Sequence, residues 1–184
     1  MSTRPELDVR KAGQELRRIV FTEEQIRRRV SELADDISRA YGPDDRLLLL
    51  GLLKGSFIFL ADLVREIRLP LHLDFFVASS YGDLKETSGR VDIRYEPETG
   101  IEDRHVILVE DIIDSGTTLR HLIPLLEGRR PRSLEVCALL HKGAASLDQE
   151  PRWVGFEAPR EFLVGYGLDY GEDFRHLPYI GSLD

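Results

Sequence analysis

The chain has 184 residues, 25 of them Lys or Arg and 33 Asp or Glu, for a net charge of −8 with histidines neutral, and 42% are hydrophobic. That length favours one domain with a sizeable core, and that charge speaks against a protein whose main task is gripping nucleic acid, which calls for clustered positive charge. Cys137 is the only cysteine, the polar N-terminus has no apolar signal segment, and the longest apolar run, Leu47 to Leu53, is short; these exclude an intramolecular disulfide, a cysteine-rich zinc site and a membrane span, and a cytoplasmic protein is expected.

Residues 1–12 are polar and are expected to be disordered. Leu16 to Phe21 reads as a short strand. Thr22-Glu23-Glu24-Gln25 is a capping box, followed by Ile26, Val30, Leu33 and Ile37 on one helical stripe. The arginines of that helix, Arg27, Arg28 and Arg29, read as a solvated face. Gly42 and Pro43 end it. Arg46 to Leu53 is a continuous apolar run, the mark of a strand covered on both faces. A helix is expected over Ser56 to Arg68, with Pro70 closing it, and a strand over Leu71 to Ser79. From Tyr81 to Gly100 the pattern dissolves into a long polar connection, of the kind that is usually functional or mobile. His105 to Glu110 and Ser133 to Leu140 read as buried strands around a helix at Thr117 to Glu127, despite Pro124. Shorter strands and turns follow, and Trp153 reads as packing. Strands alternating with helices predict an α/β fold with a parallel sheet, in a single domain over 1–184 with a small appendage made from the two chain ends.

The most informative stretch is Val106 to Leu119. A buried strand ends in Glu110 and Asp111, a third carboxylate follows at Asp114, and a small hydroxyl-rich turn, Ser115-Gly116-Thr117-Thr118, opens a helix. In parallel sheets ligands bind beyond the carboxyl ends of strands, and a helix N-terminus offers free N–H groups to a phosphate. Gly116 allows close backbone approach and the hydroxyls add donors, so the turn suits a phosphate monoester. Glu110 and Asp111 then either accept hydrogen bonds from sugar hydroxyls or hold Mg²⁺ through water. Asp114 either serves as a general base or merely caps the helix. There is no Walker A loop, no dinucleotide fingerprint, no H-E-x-x-H and no G-x-S-x-G.

The stretch Val109 to Thr118 resembles the phosphoribosyl pyrophosphate (PRPP) motif of type I phosphoribosyltransferases. Leu53-Lys54-Gly55, Ser79-Ser80-Tyr81-Gly82, and Val164 to Tyr170 closing in Phe174-Arg175 resemble, in the same order, the hypoxanthine(-guanine) phosphoribosyltransferase family, from about Val20 to Ile180. The resemblance implies a Rossmann-like parallel-sheet core with a small hood formed by the chain ends. It implies Mg²⁺-dependent purine salvage, with transfer of 5-phosphoribosyl from PRPP to hypoxanthine or guanine giving IMP or GMP and pyrophosphate. It gives Glu110 and Asp111 the ribose hydroxyls, Asp114 a general acid or base role near purine N7, and Ser115, Gly116, Thr117 and Thr118 the 5′-phosphate. Lys142 would donate to the purine 6-oxo group, Phe162 would stack on the base, and the backbone of Leu163 would read its Watson–Crick edge. Asp169 would hold Mg²⁺, with Glu110 and Asp111 as further metal candidates. Arg175 and Lys54-Gly55 would take the pyrophosphate, the latter through a cis peptide before the lysine. Ser80 and Tyr81 would reach in from a mobile lid over 80–100. A homodimer or homotetramer without nucleic-acid or membrane partners is implied. The competing reading is a PRPP- or nucleotide-sensing regulatory protein on the same fold that binds nucleic acid.

Overall fold

Thr22 opens the first helix as its capping box predicts. Its Oγ1 accepts from Gln25 N at 3.2 Å, and its own N–H donates to Gln25 Oε1 at 2.8 Å. The computed structural model describes residues 15–80, 91–143 and 150–183. In chain order the elements are β1 (Arg18–Phe21), α1 (Glu23–Ala40), β2 (Leu47–Leu53), α2 (Phe57–Glu66), β3 (Leu71–Ser80), β4 (Val91–Tyr95), β5 (His105–Ile113), α3 (Thr117–Glu127), β6 (Ser133–His141), β7 (Trp153–Glu157), β8 (Leu163–Val164) and β9 (Ile180–Ser182). Among the described residues no helix is long and apolar enough to cross a membrane.

The main sheet has the order β4-β3-β2-β5-β6-β7. Strands β3, β2, β5, β6 and β7 run parallel, and β4 returns antiparallel to β3 at the edge. Alternate side chains of the central strands enter opposite cores, as a strand's two-residue period requires. Leu47, Leu49, Ile107, Val109, Cys137 and Leu139 pack under α1 and α2. On the other face Leu48, Leu50, Val106, Leu108, Val136 and Ala138 pack under α3, which contributes Leu119, Leu122 and Leu126. Trp153 is buried beneath the Arg152 guanidinium, 4.6 Å from its ring centroid, a packing role as expected.

The second sheet, β1-β9-β8, joins the two ends of the chain into the expected hood. Arg18 on β1 holds Glu161 with two nitrogens, Nε at 3.2 Å from Oε2 and Nη2 against Oε1. Val164, Phe174 and Leu177 form the hood's own small core.

Three expectations change. Arg29 is not simply solvated: it donates to the carbonyls of Val154 and Gly155, both at 2.8 Å, and so covers part of the exposed edge of β7. The connection read as patternless contains β4, whose Val91-Asp92-Ile93-Arg94-Tyr95 does alternate apolar and polar residues, a five-residue alternation hidden by the polar sequence on either side. And β5 does not stop at Glu110 but continues through Asp111 to Ile113, so two carboxylates sit within a strand. Residues 1–12, and 81–90 of the expected lid, lie outside the described residues.

Candidate active site

Chain order reverses direction across the sheet between β2 and β5. β3 follows β2 on one side, while β6 and β7 follow β5 on the other. A crevice opens at the carboxyl ends of strands where such a reversal occurs. Here it brings Lys54-Gly55, after β2, against the end of β5. The Leu53–Lys54 peptide is cis, as the resemblance implied. A Cβ on Gly55 would lie 1.6 Å from Asp111 Oδ2, so the carboxylate occupies the space a side chain would need. Gly167, with φ +102°, closes from the hood side, and a Cβ there would lie 2.1 Å from Gly55 O. Segments distant in sequence thus meet at backbone contact.

The turn from β5 into α3 forms a cavity of about 210 Å³ lined by residues from Glu110 to Leu119. Gly116 is the N-cap with φ +73°, left-handed backbone that glycine adopts without cost, and it supplies no side chain to cap the helix. Thr117 N makes a long bond to Ser115 Oγ at 3.4 Å, and the N–H groups that follow it in the first turn are left for an anion. Ser115 Oγ and Thr117 Oγ1 are 3.0 Å apart at the mouth. Arg120, which the sequence did not single out, folds back to donate to Ser115 O at 2.9 Å and Thr117 Oγ1 at 3.1 Å. Its position one turn into α3 is the only signal that pointed to it.

At the floor, burial pushes Glu110 well above the ordinary carboxylate range, and the neighbouring Asp111 charge adds to the effect. Asp111 is pushed up to about 6, mainly by burial. Backbone N–H donors and Arg175 oppose that rise, and Asp169 adds to it. Glu110 Oε2 is buried without a hydrogen-bond partner. An orphaned buried acceptor calls for a donor or a cation, which fits both alternatives read from the sequence. Among the described residues no group of three or more His, Cys, Asp or Glu is arranged around one ion position. A hard cation here would therefore complete its shell with ligand oxygens and water, the usual habit of Mg²⁺.

On one side of the turn, Asp114 does not cap α3. Its Oδ2 accepts from Lys142 Nζ at 3.1 Å, joining the ends of β5 and β6. The Lys142 side chain is only 11% exposed, whereas Asp114 is 67% exposed, so the lysine is recessed and the carboxylate faces solvent. Phe162 is 46% exposed and meets Tyr170 edge-on, with ring centroids 5.6 Å apart. Leu163 follows in β8, buried and paired in register with Ser182.

On the other side, Arg175 pairs with Asp169 Oδ1 at 2.8 Å and donates to Gly167 O at 2.7 Å. The second Asp169 oxygen accepts from Glu172 N at 2.8 Å. Glu172, unforeseen from the sequence, bridges the two cations, 2.9 Å from Lys54 Nζ and 3.2 Å from Arg175 Nη2. Those cations hold its carboxyl below the usual range. Its spacing, three residues after Asp169 and three before Arg175, was a visible signal. Ser80 ends β3 in the sheet, and Tyr81 lies outside the described residues.

Comparison with known proteins agrees with this geometry. Residues 19–171 match the family model described as the phosphoribosyl transferase domain. The hypoxanthine-guanine phosphoribosyltransferase of Dictyostelium discoideum is 45% identical over 171 residues, covering 91% of this chain and 95% of that protein. The hypoxanthine phosphoribosyltransferase of Salmonella typhimurium is 42% identical, covering 90% and 94%. A solved structure of a hypoxanthine phosphoribosyltransferase from Staphylococcus aureus superposes with a TM-score of 0.86 at 40% identity, covering 92% of each chain. A hypoxanthine-guanine phosphoribosyltransferase from Bacillus anthracis does so with 0.86 at 41%, covering 92% of this chain and all (100%) of that one. With the crevice, the β5–α3 turn and the hood in the same order, the chain belongs to the phosphoribosyltransferase family, in its hypoxanthine(-guanine) phosphoribosyltransferase branch.

Proposed function

We propose that the protein is a purine-salvage transferase that moves a 5-phosphoribosyl group from PRPP to N9 of hypoxanthine or guanine, forming IMP or GMP and releasing pyrophosphate. The observation that carries the reading is the Lys142–Asp114 pair, 3.1 Å apart beside the phosphate turn. A 6-oxopurine offers an acceptor, O6, and a proton-bearing nitrogen, N7, as neighbours on one edge. Lys142 can only donate and an ionised Asp114 can only accept, so the pair matches that edge. Adenine would set an amino donor against the lysine and be refused.

The remaining roles follow from position. Phe162 presents an exposed ring on which the base stacks, beside the Leu163 backbone. The α3 N-terminus with Ser115 and Thr117 takes the 5′-phosphate. Glu110 and Asp111 accept the ribose hydroxyls, which gives the orphaned Glu110 Oε2 its donor. Arg175 and the Lys54-Gly55 turn face the pyrophosphate, whose entry would exchange their pairing with Glu172 for phosphate oxygens. As N9 attacks C1′ and the bond to pyrophosphate breaks, positive charge develops on the ribosyl group. Asp114 accepts the proton lost from N7. Mg²⁺, held through Asp169 or the Glu110–Asp111 pair, would neutralise the leaving pyrophosphate. The relatives are named as enzymes, and the regulatory, nucleic-acid-binding reading draws no support from them.

The test is incubation of the protein with Mg²⁺, PRPP and, one at a time, hypoxanthine, guanine, xanthine, adenine and uracil, with products resolved by chromatography. IMP and GMP are expected, with adenine and uracil inert. Asp114→Asn is expected to lower kcat by about 10²–10⁴-fold, the span of general acid–base contributions, with PRPP binding retained. Tight PRPP binding without turnover of any base would overturn the reading.

A further inference from the structure

The hydroxyl of Tyr166 donates to Asp62 Oδ2 at 2.7 Å, across 104 residues of sequence. Asp62 lies on α2, the helix that begins just after Lys54-Gly55, and its other oxygen is held by Arg65 one turn on. Tyr166 is 6% exposed, and its ring joins the core under α1 and α2. The pair faces a separate cavity of about 430 Å³ between α1, α2 and the hood, and neither residue lines the cavity of the β5–α3 turn. So neither is placed to touch a ligand in the phosphate turn.

Tyr166 sits at the centre of a left-handed tripeptide: Gly165 at φ +99°, Tyr166 at +51° and Gly167 at +102°. For an aromatic residue that backbone is uncommon and strained, so it persists only where the surroundings hold it. The neighbouring contacts are backbone ones. Tyr166 N donates to Leu177 O at 2.8 Å, and Gly167 N to Arg175 O at 3.0 Å. Among the described residues, the Tyr166 hydroxyl gives the tripeptide a directed side-chain hydrogen bond to the main domain, beside the packing of its ring. What it tethers is the pyrophosphate side of the site. Gly167 O receives Arg175 Nη1 at 2.7 Å, Gly167 lies against Gly55 O, and the side-chain position of Gly55 is filled by the Asp111 carboxylate.

We infer that Asp62 and Tyr166 are positioning residues for the pyrophosphate leg of the site: their hydrogen bond clamps the 165–167 turn to α2 and so sets Arg175 and the Lys54-Gly55 turn at their working separation. This deepens the proposed transfer reaction and rests on it. The purine side is held by other means, the β8–β9 pairing at Leu163 and Val164 and the Lys142–Asp114 pair. The clamp should therefore be felt by PRPP and not by the base.

The experiment measures KM for PRPP and for hypoxanthine in Tyr166→Phe, Asp62→Ala and Asp62→Asn, with a melting temperature for each. Tyr166→Phe removes one hydroxyl and keeps the ring's packing. It and Asp62→Ala are expected to raise the PRPP KM roughly tenfold, in line with loss of a hydrogen bond to a charged partner, with the hypoxanthine KM within about twofold. Asp62→Asn keeps an acceptor oxygen and is expected to restore most of the PRPP affinity. The double variant is expected to be no worse than the worse single one. Binding of inorganic pyrophosphate, followed by calorimetry, reads the same turn without turnover and is expected to weaken roughly tenfold in Tyr166→Phe. Unchanged pyrophosphate affinity, or a lower melting temperature with both KM values moving together, overturns the positioning role. A wild type that turns over no base would sink the transfer reading instead, and the calorimetric result would still decide the clamp.

Discussion

Gly55 carries the sharpest constraint at the scale of single residues. Any side chain there must displace the Asp111 carboxylate, because a Cβ would lie 1.6 Å from Oδ2. Asp111 is a member of the buried pair given the ribose hydroxyls, so the damage should be to donor binding first. Gly55→Ala is expected to lower kcat/KM for PRPP by at least about 100-fold, corresponding to about 2.7 kcal/mol of lost transition-state binding. Circular dichroism should show the fold intact. Retained PRPP efficiency would mean that Asp111 moves freely and does not hold the ribose. Asp114 and Lys142 illustrate a different residue-scale lesson. Both were legible from the sequence, one as a carboxylate before a helix, the other only through the family resemblance. Their 3.1 Å contact was not, since it depends on β5 and β6 ending side by side.

At the scale of elements, β3 and the return limb after β4 are joined by Asp74. This carboxylate is 8% exposed; its Oδ1 accepts from Phe75 N and its Oδ2 from Thr99 N, each at 2.8 Å. Burial pushes its pKa up, but these donors, with further ones from Thr99 and Glu98, outweigh burial and hold it below the ordinary 3.8. A carboxyl whose folded pKa is depressed stabilises the fold above its unfolded pKa, and that contribution is lost as pH falls through the folded value. Asp74→Asn turns one acceptor into a donor facing an N–H. It is expected to cost about 1–3 kcal/mol near pH 7, a gap that narrows as pH drops below 3.8. Urea melts of both proteins from pH 7 to pH 2.5 would check this, and a gap constant with pH would refute it. The strand that Asp74 helps to hold, β4, escaped the sequence reading although Val91 to Tyr95 alternates apolar and polar residues, because five residues of period two inside a long polar connection make a weak signal.

For the whole molecule, the hood ties the first strand to the last. β1 pairs with β9, β9 with β8, and Arg18 reaches across to Glu161, next to Phe162. Removing residues 1–21 would strip β1 from this sheet and leave β9 with an open edge. The expected result is a rise of roughly tenfold or more in KM for hypoxanthine, since loosely held positioning residues cost about that much or more. PRPP affinity should fall less, because the turn proposed for its 5′-phosphate lies on the main sheet and only the Arg175 side of its site comes from the hood. Separate KM measurements would decide this, and an equal loss for both substrates would show that the hood supports the molecule as one unit.

The local chemistry was determined by the sequence alone. Thr22 and Gln25 wrote their own cap, the apolar runs marked both-face burial in β2, β5 and β6, and Ser115 to Thr118 marked the turn that opens α3. These are short-range consequences of residue type and period. Only the tertiary structure decided which ends meet. The reversal of strand order between β2 and β5 placed Gly55 against Asp111, and the closure of the hood set Gly167 upon Gly55 and Tyr166 upon Asp62. Glu172 likewise acquired Lys54, 118 residues away in the chain, only when the hood turn brought that cation within reach. Contacts of this kind depend on sheet order and packing between segments far apart in the chain, and no spacing along the chain encodes them.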